Sequence, residues 1–218
     1  MKGLLVKDIR FLMGQKASLF VCLALGVYFL LTGADLSYAM VFSIMMAALL
    51  STSSISYDAF DNGMAFLFTL PIQKKTYVIS KYIISFLVVI VCGGAISIVA
   101  VLCSVLGVEG IDLSQLGGGL VMAALMAVVL LTIMIPIYII FGGEKARFAM
   151  MAIFGGAVAV GYIISKIFGD MEAKIDSLIA KLETMNDVQL ALTGLGVVIV
   201  LFAISIGITI KFLERKEY

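Results

Sequence analysis

Hydrophobic and polar positions along this chain segregate into long uncharged runs separated by short charged segments. Six such runs stand out: Ala17–Ala34, Leu36–Tyr57, Tyr82–Val108, Leu113–Gly143, Phe148–Ser165 and Val188–Ile210. At about 1.5 Å per helical residue each can cross a bilayer core of about 30 Å, the first and fifth only narrowly. They predict an all-α integral membrane protein, a single transmembrane domain over residues 1–218. Its six transmembrane helices fall at about 17–34, 36–57, 82–108, 115–141, 148–165 and 188–210. Two other segments have helical periodicity without that length. In residues 1–16, Leu5, Ile9, Leu12 and Met13 share one face and Lys7 and Arg10 another, the pattern of an amphipathic helix lying at the interface. Between helices five and six, Met171, Ile175, Leu178, Leu182 and Met185 recur at three- and four-residue spacing. They predict an amphipathic external helix over about 170–186, with a solvated spacer as the plainer alternative.

The segment from Tyr57 to Lys81 joins helices two and three and is too apolar for a simple linker. Between Ala59 and Leu70 it carries Phe60, Met64, Phe66, Leu67, Phe68 and Leu70, with Asp58 and Asp61 before them and Lys74, Lys75 and Lys81 after. A helix over about 58–70 would have Asp58 as N-cap, Asp61 at the positive end of its first turn and Pro71 as its stop. Phe60, Met64, Leu67 and Phe68 fall on one side of it, Phe66 and Leu70 elsewhere. One face would then pack on the chain's own helices and the other receive a second protein. A re-entrant or interfacial loop that only anchors two helices fits the same pattern, because exposed apolar patches mark membrane contacts as readily as protein contacts.

Composition agrees with the class: 63% of the 218 residues are hydrophobic and 13% charged. The net charge of +1 becomes informative once split by side. All but three of the 15 basic residues lie in the N-terminal segment, the second loop, the fourth loop or the tail; Lys166, Lys174 and Lys181 are the exceptions. The positive-inside rule therefore places both termini of a multi-pass protein in the cytoplasm. The opening MKGLLVKDIR has charges throughout and does not read as a signal peptide. Little length separates helices one and two, around Gly33, Ala34 and Asp35, which makes them a tight hairpin.

Much chemistry is excluded. The chain contains no histidine, which removes imidazole catalysis and ligation, and no metal site is read. Cys22, Cys92 and Cys103 lie in apolar runs without metal or redox spacing. None of the six runs contains a charge, which disfavours ion-coupled transport, and a phosphate-cradling loop is missing; GGEKA at Gly142–Ala146 has neither the spacing nor the hydroxyl. Pro136 would kink helix four. Near the cytoplasmic end of helix two, Ser51, Thr52, Ser54 and Ser56 suit a wetted translocation path, or equally are hydroxyls satisfied on nearby carbonyls and neighbouring helices. In helix five, Ala152, Gly155, Gly156 and Ala159 give small residues four apart, suited to close helix packing within the chain or between copies. An intramembrane enzyme ranks low.

The opening KGLLVKDIRFL, Asp58, Gly63, the FLFTLPI run of Phe66–Ile72 and the basic re-entry KKTYVISKY at Lys74–Tyr82 resemble the type-2 ABC transporter permeases, the six-helix membrane halves of bacterial ABC exporters. Among them the chain is most similar to compact permeases associated with export of cytolytic and antimicrobial peptides, including phenol-soluble modulins. The resemblance implies an N-terminal elbow helix and a cytoplasmic coupling helix seated in a groove of an ABC ATPase subunit. The contacts would be Asp58, Phe60, Asp61, Gly63, Met64, Phe66, Leu67, Phe68, Leu70 and Pro71. Many relatives carry glutamate where Asp58 stands. A second permease copy or a paralogue would complete the pore in the lipid bilayer. No nucleic acid partner and no cofactor of this chain's own are implied; ATP and magnesium would belong to the partner subunit. The function implied is ATP-driven export of an amphipathic or hydrophobic compound, such as a peptide. The alternative is a non-transporting scaffold or immunity protein that recruits a cytoplasmic partner.

Overall fold

The computed structural model describes every residue except 1, 34, 61, 62, 109, 110, 168–186, 217 and 218. Asp61 and the expected external helix over 170–186 therefore lie outside the described residues. Among those described the chain is helical throughout: α1 (Lys2–Gly14), α2 (Lys16–Leu31), α3 (Leu36–Ala59), α4 (Gly63–Thr69), α5 (Lys74–Val105), a 3-10 turn (Leu113–Gln115), α6 (Leu116–Phe141), α7 (Gly143–Ile167) and α8 (Asp187–Arg215).

By length and composition α3, α5 and the Leu113–Phe141 segment can each cross a membrane, and α1 with α2, bent by 64°, is a candidate for a fourth, broken span. Helix limits depart from the sequence reading where charge was taken as a boundary. The third helix begins at Lys74 rather than residue 82, and the second continues through Asp58 to Ala59. Lys81 and Asp58 can sit inside helices because they neutralise each other there. The fifth and sixth helices are likewise longer than expected, Gly143–Ile167 and Asp187–Arg215.

α3 is the hub, packing on α2, α5 and α6, with α4 and α7 against it. Small residues let it approach its neighbours. On α6, Ala123, Ala127, Leu131, Ile135 and Ile139 form a buried stripe repeating every fourth residue, and Ala39, Ala47 and Ala48 are fully buried on α3. Gly26 of α2 is the closest of these approaches, since a Cβ built there would stand 2.0 Å from Ser43 Oγ and 3.0 Å from Ile96 Cδ1. Ser43 Oγ is itself fixed by donating to Ala39 O at 2.8 Å. Gly26→Ala is therefore expected to cost about 1–3 kcal/mol by overpacking, and Ser43→Ala in the same chain to relieve most of it. Thermal unfolding in detergent reads both.

The outer surface carries many large apolar side chains. Phe20 and Tyr28 on α2, Phe86 and Ile90 on α5, Met122 and Met126 on α6, Phe148 and Met151 on α7 and Ile199 and Ile204 on α8 are all exposed. Buried positions meanwhile include Ser43, Ser51, Ser54, Ser80, Ser85, Ser205 and Thr209. Such a surface suits lipid as the solvent, with most of these hydroxyls bonded inside the bundle and Ser85 Oγ without a hydrogen-bond partner among the described residues. Outside the spans, Asp112 accepts from the Ser114 amide at 3.0 Å and caps the 3-10 turn. Its hydrogen bonds to Ser114 hold the carboxyl below the usual range, so the cap persists above the ordinary carboxylate range and is lost as pH falls through the lowered value.

Candidate functional site

The site is assembled from the ends of α1, α3 and α5 and the short α4. The buried face of α1 is Leu4, Asp8 and Leu12, one residue per turn, while Ile9 and Met13 point outward. This differs from the expected apolar face of Leu5, Ile9, Leu12 and Met13, because a buried charge pair holds Asp8 inside. Lys81 Nζ reaches Asp8 Oδ1 at 2.8 Å, Asp58 Oδ2 at 2.6 Å and Ser54 Oγ at 2.7 Å. The contacts with Asp8 and Ser54 are hydrogen bonds and the one with Asp58 is an ion pair. Lys7 Nζ binds Asp58 Oδ1 and lies 3.5 Å from Asp8 Oδ1, so it turns inward rather than to headgroups. Tyr77 donates its hydroxyl to Asp58 Oδ2 at 3.2 Å, and Ser54 donates to Asp8 Oδ1 at 2.9 Å. Lys81 Nζ also stands 5.3 Å from the centre of the Tyr77 ring. Two cations and two carboxylates thus close a neutral cluster, although Asp8 Oδ2 is buried without a hydrogen-bond partner among the described residues.

Asp58 belongs to this cluster and not to the start of the short helix. It lies in the last turn of α3, buried, so its side chain is committed inward and cannot cap α4. Phe60 takes an extended backbone, with ψ 140°, and ends α3. α4 begins only at Gly63, pressed so closely on α3 that a Cβ at Gly63 would stand 2.8 Å from Asp58 O. Glycine is needed there for that contact. Pro71 comes just after the helix, in the turn closed by Ile72 N to Leu70 O at 2.6 Å.

α4 has two different faces. Met64 is buried, and Leu67 and Phe68 pack against the main core, with the Phe68 ring edge-on to Tyr77 at 5.8 Å. Phe66 is 72% exposed, Phe60 70%, and Leu70 is also exposed. Phe60, expected on one face with Met64, Leu67 and Phe68, stands apart from them because the break at residue 60 takes it out of phase with α4; of the expected partner contacts, Met64 is buried and Leu67 and Phe68 pack on the core. The end of α8 is fastened beside this spur. Lys74 Nζ donates to Lys216 O at 2.7 Å, Lys75 pairs with Glu214 at 3.5 Å, and Lys216 Nζ donates to Ile140 O at 3.0 Å.

The hydroxyls of α3 do not share one environment. Ser51 and Thr52 are buried and donate to the carbonyls of Ala48 and Leu49, each at 2.7 Å. Ser54 belongs to the charge cluster, and Ser56 packs where Gly143 begins α7, a Cβ at Gly143 falling 2.9 Å from Ser56 Cβ. On α7, Ala152, Gly155, Gly156 and Ala159 are all exposed, and a Cβ at Gly155 or Gly156 would meet nothing within 4 Å. Among the described residues that stripe is therefore not a packing face.

Sequence reasoning missed Asp8 and the inward roles of Lys7 and Lys81. The signal was present in the spacing of Leu4, Asp8 and Leu12, a charge on an apolar stripe. It also missed Tyr82, Ser205 and Thr209, buried hydroxyls that join α5 to α8 at 2.6 and 3.2 Å. No curated protein and no solved structure matches the chain. The family model described as ABC-2 family transporter protein matches residues 3–214, nearly the whole bundle just described. The chain belongs to that family, as an all-helical, multi-pass membrane permease component of an ABC transporter.

Proposed function

We propose that this chain is the permease subunit of an ATP-driven exporter, in which α4 is the coupling helix that a cytoplasmic ABC ATPase grips. The observation that carries the reading is the division of α4: Met64, Leu67 and Phe68 fasten it to the bundle while Phe60, Phe66 and Leu70 stand outside it. A greasy face on a short helix fixed to the ends of α3 and α5 suits a protein partner whose motion must reach the membrane helices. The positive-inside asymmetry supports a cytoplasmic position for α4 and for both termini. Six transmembrane helices complete the subunit, with α7 and α8 as the last two and α1 as the elbow at the inner membrane surface. Ser51, Thr52, Ser54 and Ser56 would lie beside the path, and two copies, or this chain with a paralogue, would form it. The exposed stripe of Ala152, Gly155, Gly156 and Ala159 fits the contact between copies. ATP and magnesium bind the partner ATPase, and their turnover biases inward- and outward-open states.

The apolar outer surface and hydroxyl-rich interior suit an amphipathic or hydrophobic cargo, a cytolytic or antimicrobial peptide being the leading candidate. Inverted vesicles holding the permease with its ATPase should accumulate a labelled amphipathic peptide when given magnesium-ATP and stop with vanadate. A scaffold or immunity protein that merely recruits a partner would bind the ATPase and show no uptake.

A further inference from the structure

A second polar network lies immediately beside the first, on the other side of α5. Pro136 sits inside α6. Proline has no N–H, so the carbonyl four residues back, Thr132 O, loses its helical donor. Ser205 Oγ of α8 donates to that carbonyl at 2.7 Å. The direction of the remaining bonds follows from counting protons. Ser205 has spent its single proton on Thr132, and Thr209 Oγ1 has spent its own on Ser205 O at 2.7 Å. The Tyr82 hydroxyl, 2.6 Å from Ser205 Oγ and 3.2 Å from Thr209 Oγ1, therefore gives its one proton to the nearer acceptor, Ser205 Oγ. A directed chain runs from Tyr82 through Ser205 to the carbonyl that the proline left open. Tyr82, Ser205 and Thr209 are all buried, and the Tyr82 ring is held edge-on by Phe202 at 4.9 Å.

Beyond this point a groove of about 330 Å³ is lined by Ile139, Ile140, Phe212, Leu213, Arg215 and Lys216, with Lys216 Nζ donating to Ile140 O across its end. The last turns of α6 thus have room beside them and a proline break behind them. Tyr82 also follows Lys81 directly, so one turn of α5 holds the ionic cluster beside α4 on one side and the proline break on the other.

We propose that Tyr82 and Ser205 form a latch on the break of α6. Closed, it holds the segment after Pro136 against α8; displacement of α5 at Lys81 opens it and lets that segment swing into the groove. The part played by ATP rests on the permease reading, whereas the latch itself does not. A change of about 20° at the break would move Phe141, five residues beyond it, by about 3 Å.

Electron–electron resonance distances in nanodiscs test this, on the full chain with Cys22, Cys92 and Cys103 replaced by alanine. One label pair replaces Phe141 and Phe212, both exposed and beyond the break, and a control pair replaces Met126 and Ile199 before it. Tyr82→Phe deletes one oxygen and keeps the ring; it and Ser205→Ala should broaden the far pair by about 3 Å and leave the control unchanged. Adding Pro136→Ala to Ser205→Ala should restore the narrow distribution. With the ATPase, magnesium-ATP and vanadate, the unmodified latch should give the broadened far pair. An unchanged far pair in Tyr82→Phe or equal broadening of both pairs would overturn the latch, and no response to trapped nucleotide in a complex that does form would overturn its opening by ATP. Failure to form any complex counts against the docking reading instead, and the variants without ATPase still decide the latch.

Discussion

Lys81→Met is expected to be the most damaging single substitution in the chain. Lys81 is 2% exposed and within 2.8 Å of both Asp8 and Asp58, themselves 0% and 8% exposed. Removing it leaves two buried carboxylates to share Lys7, and breaking a buried pair from one side costs about 3–5 kcal/mol. Thermal unfolding of the detergent-solubilised protein should show a loss of that order or a failure to recover folded monomer. The cost comes from stranded charge, not from lost volume. Replacing Asp8 and Asp58 by leucine together with Lys81→Met should therefore recover much of the stability. Lys75 supplies the control, because its pair with Glu214 is 3.5 Å long and exposed on both sides; Lys75→Met should cost no more than about 1 kcal/mol. Equal stability of Lys81→Met and Lys75→Met would mean that the cluster does not hold α1 to α3 and α5.

Phe66→Asp should separate folding from docking. With Phe66 72% exposed, its replacement should leave stability within about 0.5 kcal/mol and insertion unchanged. If α4 is the grip for the ATPase, losing this aromatic anchor should weaken association by at least about 2 kcal/mol, roughly 30-fold. Met64→Asp should behave in the opposite way, because Met64 is buried against the core: the bundle itself should fail, with partner binding lost as a consequence. Pull-down of the co-expressed ATPase, normalised to folded permease, measures both. Undiminished association of the Phe66 variant would remove the outer face of α4 from the interface.

What could be read in the sequence was what helical phase decides locally. The apolar runs and the separation of Met64, Leu67 and Phe68 from Phe66 and Leu70 follow from residues within one or two turns, whereas which face turns inward depends on the bundle. What could not be read depended on distant partners. Lys81 looks like a loop charge until Asp8, 73 positions away in the chain, is placed beside it, and Asp58 looks like a cap until Lys7 and Lys81 claim its oxygens. Charges were used to mark helix ends, and neutralised charges do not mark them. The hydroxyls of α3 were undecided for a related reason: a buried serine is satisfied equally by its own helix or by a neighbour, and Ser51 and Ser54 take one course each. The stripe of Ala152 to Ala159 fits close packing without naming a partner, and among the described residues it packs on nothing.

The most direct measurement places a photo-crosslinking amino acid at Phe66 in the intact membrane. A crosslink to a protein carrying a phosphate-loop motif, formed on the cytoplasmic side and lost when that protein is deleted, is the expected result. Crosslinks to lipid alone, or to a reagent that reaches residue 66 only from outside the cell, would contradict it and leave the bundle without a point at which a motor can act.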